Sequence, residues 1–318
     1  TELWKSDGTS SGTVMVKDIN SGTYSSNPSH LTAVGNTLYF TATDGTNGTE
    51  LWKSDGTSSG TVMVKDINAG TGSSSPGFTA NYFKVIGENV FFFANDSTNG
   101  LELWKTNGTS NGTNMVKDIC PGANGSLTYD SNPIVVGDKL YFGANDSVHG
   151  LELWISDGTT AGTMLVIDLD NSSNGTNPLR VDPVTMNGDT LIFRATDGIH
   201  GEELWRSNGT SSGTVMIKDI RPGSVGGFPS GMVVIEDTLW FRASPTGYSE
   251  LWTSDGTSNG TFEVMDINPG MWGGSAPSSF TRVGQLMFFI ADDGTYGGEL
   301  FVAEMNIDAS QIVEETTV

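Results

Sequence analysis

The strongest constraint on the fold of this chain is an internal repeat of about fifty residues, a period typical of propellers and solenoids. Residues 1–20 and 49–68 are identical, which indicates recent duplication. Repeat folds grow by adding equivalent units to one architecture, so the repeat sets the expected number of domains and the length of 318 residues does not. The tripeptide Glu-Leu-Trp begins at Glu2, Glu50, Glu102, Glu152, Glu203 and Glu250, and a seventh copy reads Glu299-Leu300-Phe301.

Each complete unit contains four β-like segments, which we name A to D in chain order. In the first unit they read SHLTAVGN, TLYFTATD, TELWKSDG and TVMVKDIN. Strand B carries Phe and Ala two residues apart, as at Phe40 and Ala42, so both lie on one face of the strand. The opposite face also carries a bulky residue, such as Tyr39. A strand that is apolar on both faces must be covered on both sides, and this favours the stacked blades of a β-propeller.

The strand inventory predicts an all-β propeller of six four-stranded blades. The chain starts with strands C and D and ends with A, B and C, so the N-terminal D strand is expected to complete the C-terminal blade. That sharing would close the ring and leave no open sheet edge. One C strand is then left over, either Glu2–Ser6 or Glu299–Ala303. A seventh, incomplete blade is the alternative. We assign residues 1–305 to the propeller and residues 306–318 to a C-terminal tail or linker.

Composition narrows the partners that the chain can have. A formal charge of −22 argues against nucleic acid, because a phosphate backbone is bound by clustered Lys and Arg. The single cysteine, Cys120, excludes an internal disulfide. No stretch has the length of a membrane span. The chain opens inside a repeat motif without an initiator Met, which we interpret as a fragment or processed form of a longer protein.

The pattern G-x-ELW-x-SDGT-xx-GT-x-x-VKDI resembles the ELWxxDGT repeat family of secreted and surface proteins, and more loosely the Kelch repeats. The resemblance covers nearly the whole chain. It implies a propeller module in large extracellular or cell-surface proteins, and it does not imply catalysis. Pro245 departs from the pattern, since strand B usually reaches Asp there, and VAEMNIDAS replaces the turn after Glu299.

Three carboxylates per unit form the most specific constellation: one ends strand B, one starts strand C and one ends strand D. The topology places all three at one rim of a blade, where grouped carboxylate oxygens would suit Ca²⁺. The alternative is that each carboxylate accepts backbone N–H bonds in its own loop and determines the fold. The residues are Asp44, Glu50 and Asp66; Asp96, Glu102 and Asp118; Asp146, Glu152 and Asp168; and Asp197, Glu203 and Asp219.

Other residues suggest surface functions. The Trp of each strand C is expected to pack between blades, whereas Trp272, in a D-to-A loop outside the repeat, is a candidate surface contact. Asn-x-Ser/Thr sequons lie in turns that would accept glycans, although the turn chemistry alone explains them. They are Asn47, Asn95, Asn107, Asn111, Asn124, Asn145, Asn171, Asn174, Asn208 and Asn259.

The sequence favours a non-enzymatic structural or adhesive module of an extracellular or cell-surface protein, assembled with other surface proteins or with copies of itself, as in a filament. A lectin-like propeller that binds carbohydrate or another ligand on its loop rim is the alternative. A polysaccharide-degrading enzyme is the weakest hypothesis, because no acid/base pair has distinctive surroundings and the three histidines lack ordered partners in the sequence. We therefore expect no catalytic residues and, apart from Ca²⁺, no cofactor.

Overall fold

The computed structural model describes residues 1–76, 83–128, 131–170, 175–176, 178–179, 183–269 and 273–304, and the backbone of 312–314. Every regular element in these residues is a β-strand. No helix within them is long and apolar enough to cross a bilayer. The chain divides into two compact units, Thr1–Leu165 and Val166–Val318.

The first unit contains β1 (Leu3–Lys5), β2 (Val14–Lys17), β3 (Ser29–Val34), β4 (Thr37–Thr43), β5 (Thr49–Ser54), β6 (Val62–Lys65), β7 (Lys84–Ile86), β8 (Asn89–Asn95), β9 (Leu101–Thr106), β10 (Asn114–Lys117), β11 (Ile134–Val136), β12 (Lys139–Asn145) and β13 (Leu151–Ser156). The division between the units falls within β14 (Met164–Ile167). The second unit contains β15 (Val184–Met186), β16 (Thr190–Ala195), β17 (Glu203–Ser207), β18 (Val215–Lys218), β19 (Ser230–Ile235), β20 (Thr238–Ala243), β21 (Glu250–Ser254), β22 (Phe262–Met265), β23 (Ser278–Val283), β24 (Leu286–Asp292), β25 (Gly298–Glu304) and β26 (Ile312–Glu314).

The strands from β3 onwards form four-stranded sheets in chain order, and β1 and β2 form a two-stranded sheet. In the sheets β3–β6 and β7–β10 every pair of neighbouring strands is antiparallel, as expected for strands joined by short hairpins. Each four-stranded sheet from β3 to β22 is therefore one repeat unit with the predicted order A-B-C-D. The all-β, propeller-like part of the prediction is confirmed.

Strand B is buried on both faces, as its sequence predicts. In β4, Tyr39 and Thr41 lie on one face with Leu51 of β5, which we call the leucine face of the sheet. Phe40 pairs with Trp52 on the other, the tryptophan face. Alternation of side chains along a strand produces these two apolar faces, and neither can be left in water.

Within each unit the leucine face of one sheet packs against the tryptophan face of the next. Leu51, Val64 and Ile67 of one sheet form a cluster with Phe92, Ala94 and Trp104 of its neighbour. In the second unit, Leu204, Ile217 and Ile220 make the equivalent contact with Phe241, Ala243 and Trp252. The core thus consists of thin layers between successive sheets, which confirms that the Trp of strand C packs between sheets.

The predicted closure of the C-terminal blade by the N-terminal strand is wrong. Strand β2 pairs with β1, and the position beside β25 is occupied by β26. The reason lies in a segment outside the repeat, where Ile312-Val313-Glu314 supplies a short β-forming run. This strand falls within residues 306–318, which were predicted to be a tail or linker; the boundary at 305 itself stays a prediction. Both candidate leftover C strands form sheets, as β1 and β25.

Candidate functional site

The B–C loop and the D–A loop of a repeat lie in backbone contact at the same end of their sheet. A Cβ atom added to Gly100 of the B–C loop would lie 2.2 Å from the backbone nitrogen of Gly125 in the D–A loop. Gly48 and Gly72 make the equivalent approach. These glycines permit the contact because they have no side chain, and Gly48, Gly100 and Gly125 also have positive φ. The three predicted carboxylates of each repeat are attached to these loops.

The glutamate that starts strand C binds the D–A loop. The Glu102 carboxylate accepts hydrogen bonds from the backbone N–H groups of Ser126 at 2.9 Å, Cys120 at 3.2 Å and Ile119 at 3.3 Å. The Ser126 hydroxyl donates a further bond at 2.6 Å. In the preceding repeat, Glu50 accepts bonds from the N–H groups of Ile67 and Ser74. Each glutamate therefore fixes the loop that connects its sheet to the next one.

Burial controls the protonation of these glutamates. Burial raises the pKa of Glu102 from 4.5 to about 7, and the negative charge of Asp118 adds to this shift, while the donated hydrogen bonds reduce it. Burial likewise raises the pKa of Glu50 and of Glu203. Glu2, in the two-stranded sheet, is more exposed. Burial still opposes its ionisation, but the bonds from Ser26 and Ile19 prevail and lower its pKa.

The aspartate after strand B closes its own B–C loop. Asp96 Oδ1 accepts the backbone N–H groups of Thr98 at 2.9 Å and Asn99 at 2.8 Å, and Asp96 Oδ2 accepts the Asn99 amide at 2.7 Å. Burial alone would raise the pKa of Asp96, but these bonds outweigh it and the pKa is lowered. Asp44 makes the same contacts, and its pKa is also lowered.

Histidine replaces Asn99 in two other loops. The Nδ1 atoms of His149 and His200 lie 2.7 Å from Oδ2 of Asp146 and Asp197. The hydrogen bond that the His200 imidazole donates to the Asp197 carboxylate raises the pKa of His200. These ordered imidazole–carboxylate pairs contradict the expectation that the histidines lack ordered partners. The spacing signal was available, because both pairs are separated by three residues within one loop.

The aspartate at the end of strand D lies close to the buried glutamate. Asp66 Oδ2 accepts the Gly70 N–H at 3.2 Å. The other oxygen, Oδ1, is buried and accepts no hydrogen bond from the described residues in Asp66, Asp118 and Asp219. The negative charges of Asp118 and Asp219 contribute to the raised pKa values of Glu102 and Glu203, so the structure brings the strand C glutamate close to the strand D aspartate. The strand B aspartate binds its own loop.

Calcium binding at Asp44, Glu50, Asp66 and their equivalents stays a prediction. An ion held by Glu102 would displace donors that already bind it. If Ca²⁺ binds only the folded protein, millimolar Ca²⁺ should raise the melting temperature more than NaCl of equal ionic strength, by mass action. The substitution Glu102→Gln should reduce that difference. Equal effects of the two salts on the melting temperature would remove the calcium hypothesis.

The C–D hairpin contains a carboxylate that the sequence analysis did not single out. Asp55 Oδ1 accepts the Thr57 backbone N–H at 2.9 Å and its hydroxyl at 2.7 Å, and these bonds lower the pKa of Asp55. Asn107 takes the same position in the next hairpin and accepts the same two bonds from Thr109. The turn needs a side-chain oxygen here, and the negative charge is not required for the geometry.

Lysines of strand D bind backbone carbonyls of the next sheet. The Nζ atom of Lys65 donates to the Thr113 carbonyl at 2.7 Å and lies over the ring of Trp104. Lys117 makes the same contacts with Thr163 and Trp154. These cations therefore contribute to sheet packing. The sequence does not show this, because the acceptors are main-chain atoms in a different repeat.

The structure describes most of the predicted surface residues, but not all of them. Trp272, Asn171 and Asn174 lie outside the described residues. Asn111, Asn124 and Asn259 are exposed, whereas Asn47 donates its amide to Asp44. Asn95, Asn107, Asn145 and Asn208 each accept a backbone N–H bond within their turn. Glycosylation of these residues stays a prediction.

Comparison with known proteins gives similarity at the level of structure alone. No protein-family model and no curated protein matches the chain. Oligopeptidase B from Leishmania major is 13% identical with a TM-score of 0.47, covering 98% of this chain and 44% of its own. A prolyl endopeptidase is 12% identical with a TM-score of 0.45, and the match covers 92% of this chain and 42% of the endopeptidase. A puromycin-hydrolysing peptidase of Mycobacterium tuberculosis is 11% identical with a TM-score of 0.46, and the match covers 91% of this chain and 45% of the peptidase.

These comparisons correct the functional expectation. The similar solved structures are peptidases, so the assignment to a non-enzymatic structural or adhesive module, with its lectin-like alternative, is withdrawn. The expectation that the chain is not an enzyme is withdrawn with it. The chain spans less than half the length of each of these three structures. At such low identity the likeness concerns the fold, and no catalytic residue is transferred to this chain.

Proposed function

We propose that this chain is a propeller of six four-stranded blades whose acidic loops bind cationic polypeptides. The observation that carries the proposal is that the lysines and the aspartates have different surroundings. Strand D lysines donate to main-chain carbonyls between sheets, whereas loop aspartates are held ionised at the surface. The chain has 37 acidic and 15 basic residues. A surface with this imbalance attracts cations and cationic segments of other proteins.

The hairpin aspartates are the best-defined part of this surface. The Thr9 hydroxyl and N–H lower the pKa of Asp7, and Thr159 does the same for Asp157. Asp7 and Asp157 are exposed, so a partner can reach them. Their carboxylates are oriented by the turn before any ligand arrives. A preoriented charge loses less conformational freedom on binding than a free side chain.

Substitution of the hairpin aspartates by asparagine tests the proposal without changing the turn. Asn107 and Asn208 already occupy this position in two hairpins with the same hydrogen bonds. The variant carries Asp7→Asn, Asp55→Asn, Asp157→Asn and Asp255→Asn, which changes the formal charge from −22 to −18. Because four exposed charges are removed and each contributes only modestly, affinity for a labelled (Lys-Ser)₅ peptide should fall by roughly tenfold.

Fluorescence anisotropy of the labelled peptide measures this loss of affinity. A (Glu-Ser)₅ peptide is the control for charge, and the melting temperature of the fourfold variant is the control for folding. Added salt should weaken binding of (Lys-Ser)₅ to the wild type more than to the variant, because screening acts on the removed charges. The same affinity of both proteins for (Lys-Ser)₅ would refute the proposal. The predicted extracellular or cell-surface location stays a prediction.

A further inference from the structure

The sheet β19–β22 lacks a basic side chain that other sheets carry on their leucine face. The residue that follows the strand C Trp lies on this face, and in four copies of the motif it is basic: Lys5, Lys53, Lys105 and Arg206. In the sheet β19–β22 this residue is Thr253, which pairs with Trp240 of strand B. Its hydroxyl donates to the Leu239 carbonyl at 3.1 Å. A groove of about 190 Å³ is lined by Thr253 and Trp240.

The basic residues of the other sheets show what this position can hold. The Nζ atom of Lys105 donates to the carbonyl of Gly158, in the C–D hairpin of the following sheet, at 2.7 Å. Arg206, in the sheet before Thr253, donates to the Gly256 carbonyl at 3.2 Å. The position thus accommodates a long side chain with a positively charged end, and Thr253 is too short to fill it.

The walls of the groove combine an apolar surface with a carboxylate. Trp240, Val264 and the 40% exposed Phe262 form the apolar part, and Asp255 of the C–D hairpin lines the same groove. Asp255 Oδ1 accepts the Thr257 N–H at 2.8 Å and its hydroxyl at 2.7 Å, so the turn orients the carboxylate. Among the described residues, Asp255 forms no ion pair. The groove therefore offers apolar contacts to methylene groups and a negative charge to a cation.

The corresponding groove of the sheet β15–β18 has the opposite charge. Its volume is about 250 Å³, and it is lined by Arg206 and Asn208, which take the positions of Thr253 and Asp255. A basic ligand would meet a like charge in that groove and a carboxylate in the groove of the sheet β19–β22. The exchange of an arginine for a threonine and of an asparagine for an aspartate thus selects for a cation.

We propose that the groove of the sheet β19–β22 receives a lysine or arginine side chain of a cationic polypeptide, an inference that rests on the proposed function. The inserted side chain would take the place that Arg206 has in the preceding sheet. Its methylene groups would contact Trp240 and Val264, and its charged end would lie near Asp255. A partly buried charge pair is screened less than an exposed one, so Asp255 should contribute more to affinity than the other hairpin aspartates.

Two single substitutions separate the groove from the acidic surface as a whole. Asp255→Asn removes the carboxylate of the groove, and Asp157→Asn removes the equivalent one in the sheet β11–β14, where the buried Ile155 has the position of Thr253. Asn208 shows that Asn preserves this turn. We expect affinity for labelled (Lys-Ser)₅ to fall about fivefold with Asp255→Asn and less than about twofold with Asp157→Asn.

Equal losses of affinity in these two variants would overturn the groove. They would leave the proposed function standing, because that function requires only the loss of affinity in the fourfold Asp→Asn variant. Absence of (Lys-Ser)₅ binding to the wild type would refute both.

Filling the groove from within gives a second test. Thr253→Arg supplies the side chain that Arg206 has in the preceding sheet, and Ser212→Arg adds the same charge at an exposed hairpin position. Affinity for (Lys-Ser)₅ should fall at least about fivefold with Thr253→Arg and less than about twofold with Ser212→Arg. Equal affinities of the two variants would overturn the proposal. If Thr253→Arg does not fold, the aspartate pair decides. Nuclear Overhauser contacts between Trp240 and residues 305–311 in the free protein would show that the chain fills its own groove, which also overturns the proposal.

Discussion

Replacing Phe142 by Ala should destabilise the first unit by about 3–5 kcal/mol, because it removes a fully buried ring and leaves a cavity. Phe142 has no exposed surface, and it pairs with Trp154 on the tryptophan face of its sheet. Its ring centroid lies 6.2 Å from that of Phe93 in the preceding sheet. The loss therefore affects two sheets, and thermal unfolding should show a lowered transition temperature.

Phe262→Ala is the matched control for this prediction. Phe262 lies in β22, where its side chain is 40% exposed, so its truncation removes less buried surface and leaves no closed cavity. We expect its cost to be below about 1.5 kcal/mol, since a partly exposed ring gains only part of its burial energy on folding. Equal changes in the unfolding temperature for the two variants would show that the strand B aromatics do not form the layers of the core.

The repeat made most of the fold predictable. The spacing of Phe and Ala in strand B identified the two buried faces, and the position of the carboxylates placed them at loops. The alternative that carboxylates determine the fold also agrees with the hydrogen bonds of Glu102 and Asp96. Each of these inferences depends on the local spacing of residues, which is the same in each sequence repeat.

The environment of a repeated residue could not be predicted from its sequence. Trp4 and Trp52 have the same twenty-residue context, but Trp52 is buried against Leu3, Val16 and Ile19 of the neighbouring sheet, whereas Trp4 is exposed. Glu2 and Glu50 occupy the same position of the motif, but the pKa of Glu2 is lowered and that of Glu50 is raised. Strand β26 was missed for a related reason, because it belongs to no repeat. Packing between neighbouring sheets decides the exposure and the pKa of these residues.

This difference in environment leads to opposite pH effects for the same glutamate in two copies of the motif. The native pKa of Glu102 is about 7, against an ordinary value of 4.5 in the unfolded chain. Between these two values the native protein keeps a proton that the unfolded chain has released. The free energy of unfolding should therefore fall as the pH rises through this range, by about 3 kcal/mol in total for this residue. Glu50 and Glu203, whose pKa values are also raised, should contribute in the same direction.

Glu102→Gln removes the titrating group while keeping its size, so it isolates this contribution. We expect the stability difference between wild type and Glu102→Gln to change by about 3 kcal/mol between pH 4.5 and pH 7.5, with the wild type losing its advantage as the pH rises. Urea unfolding at a series of pH values measures this difference. The native pKa of Glu102, read from ¹³C chemical shifts of its carboxyl carbon, checks the same quantity directly.

Glu2→Gln is the control with the same motif and the opposite sign. Because the pKa of Glu2 is lowered in the native state, its stabilising contribution is complete above the unfolded value and is lost as the pH falls through the native value. The stability difference between wild type and Glu2→Gln should thus be constant near neutral pH and change only in acid. If the Glu102→Gln and Glu2→Gln differences follow the same pH curve, burial between sheets does not set the protonation of the repeated glutamate.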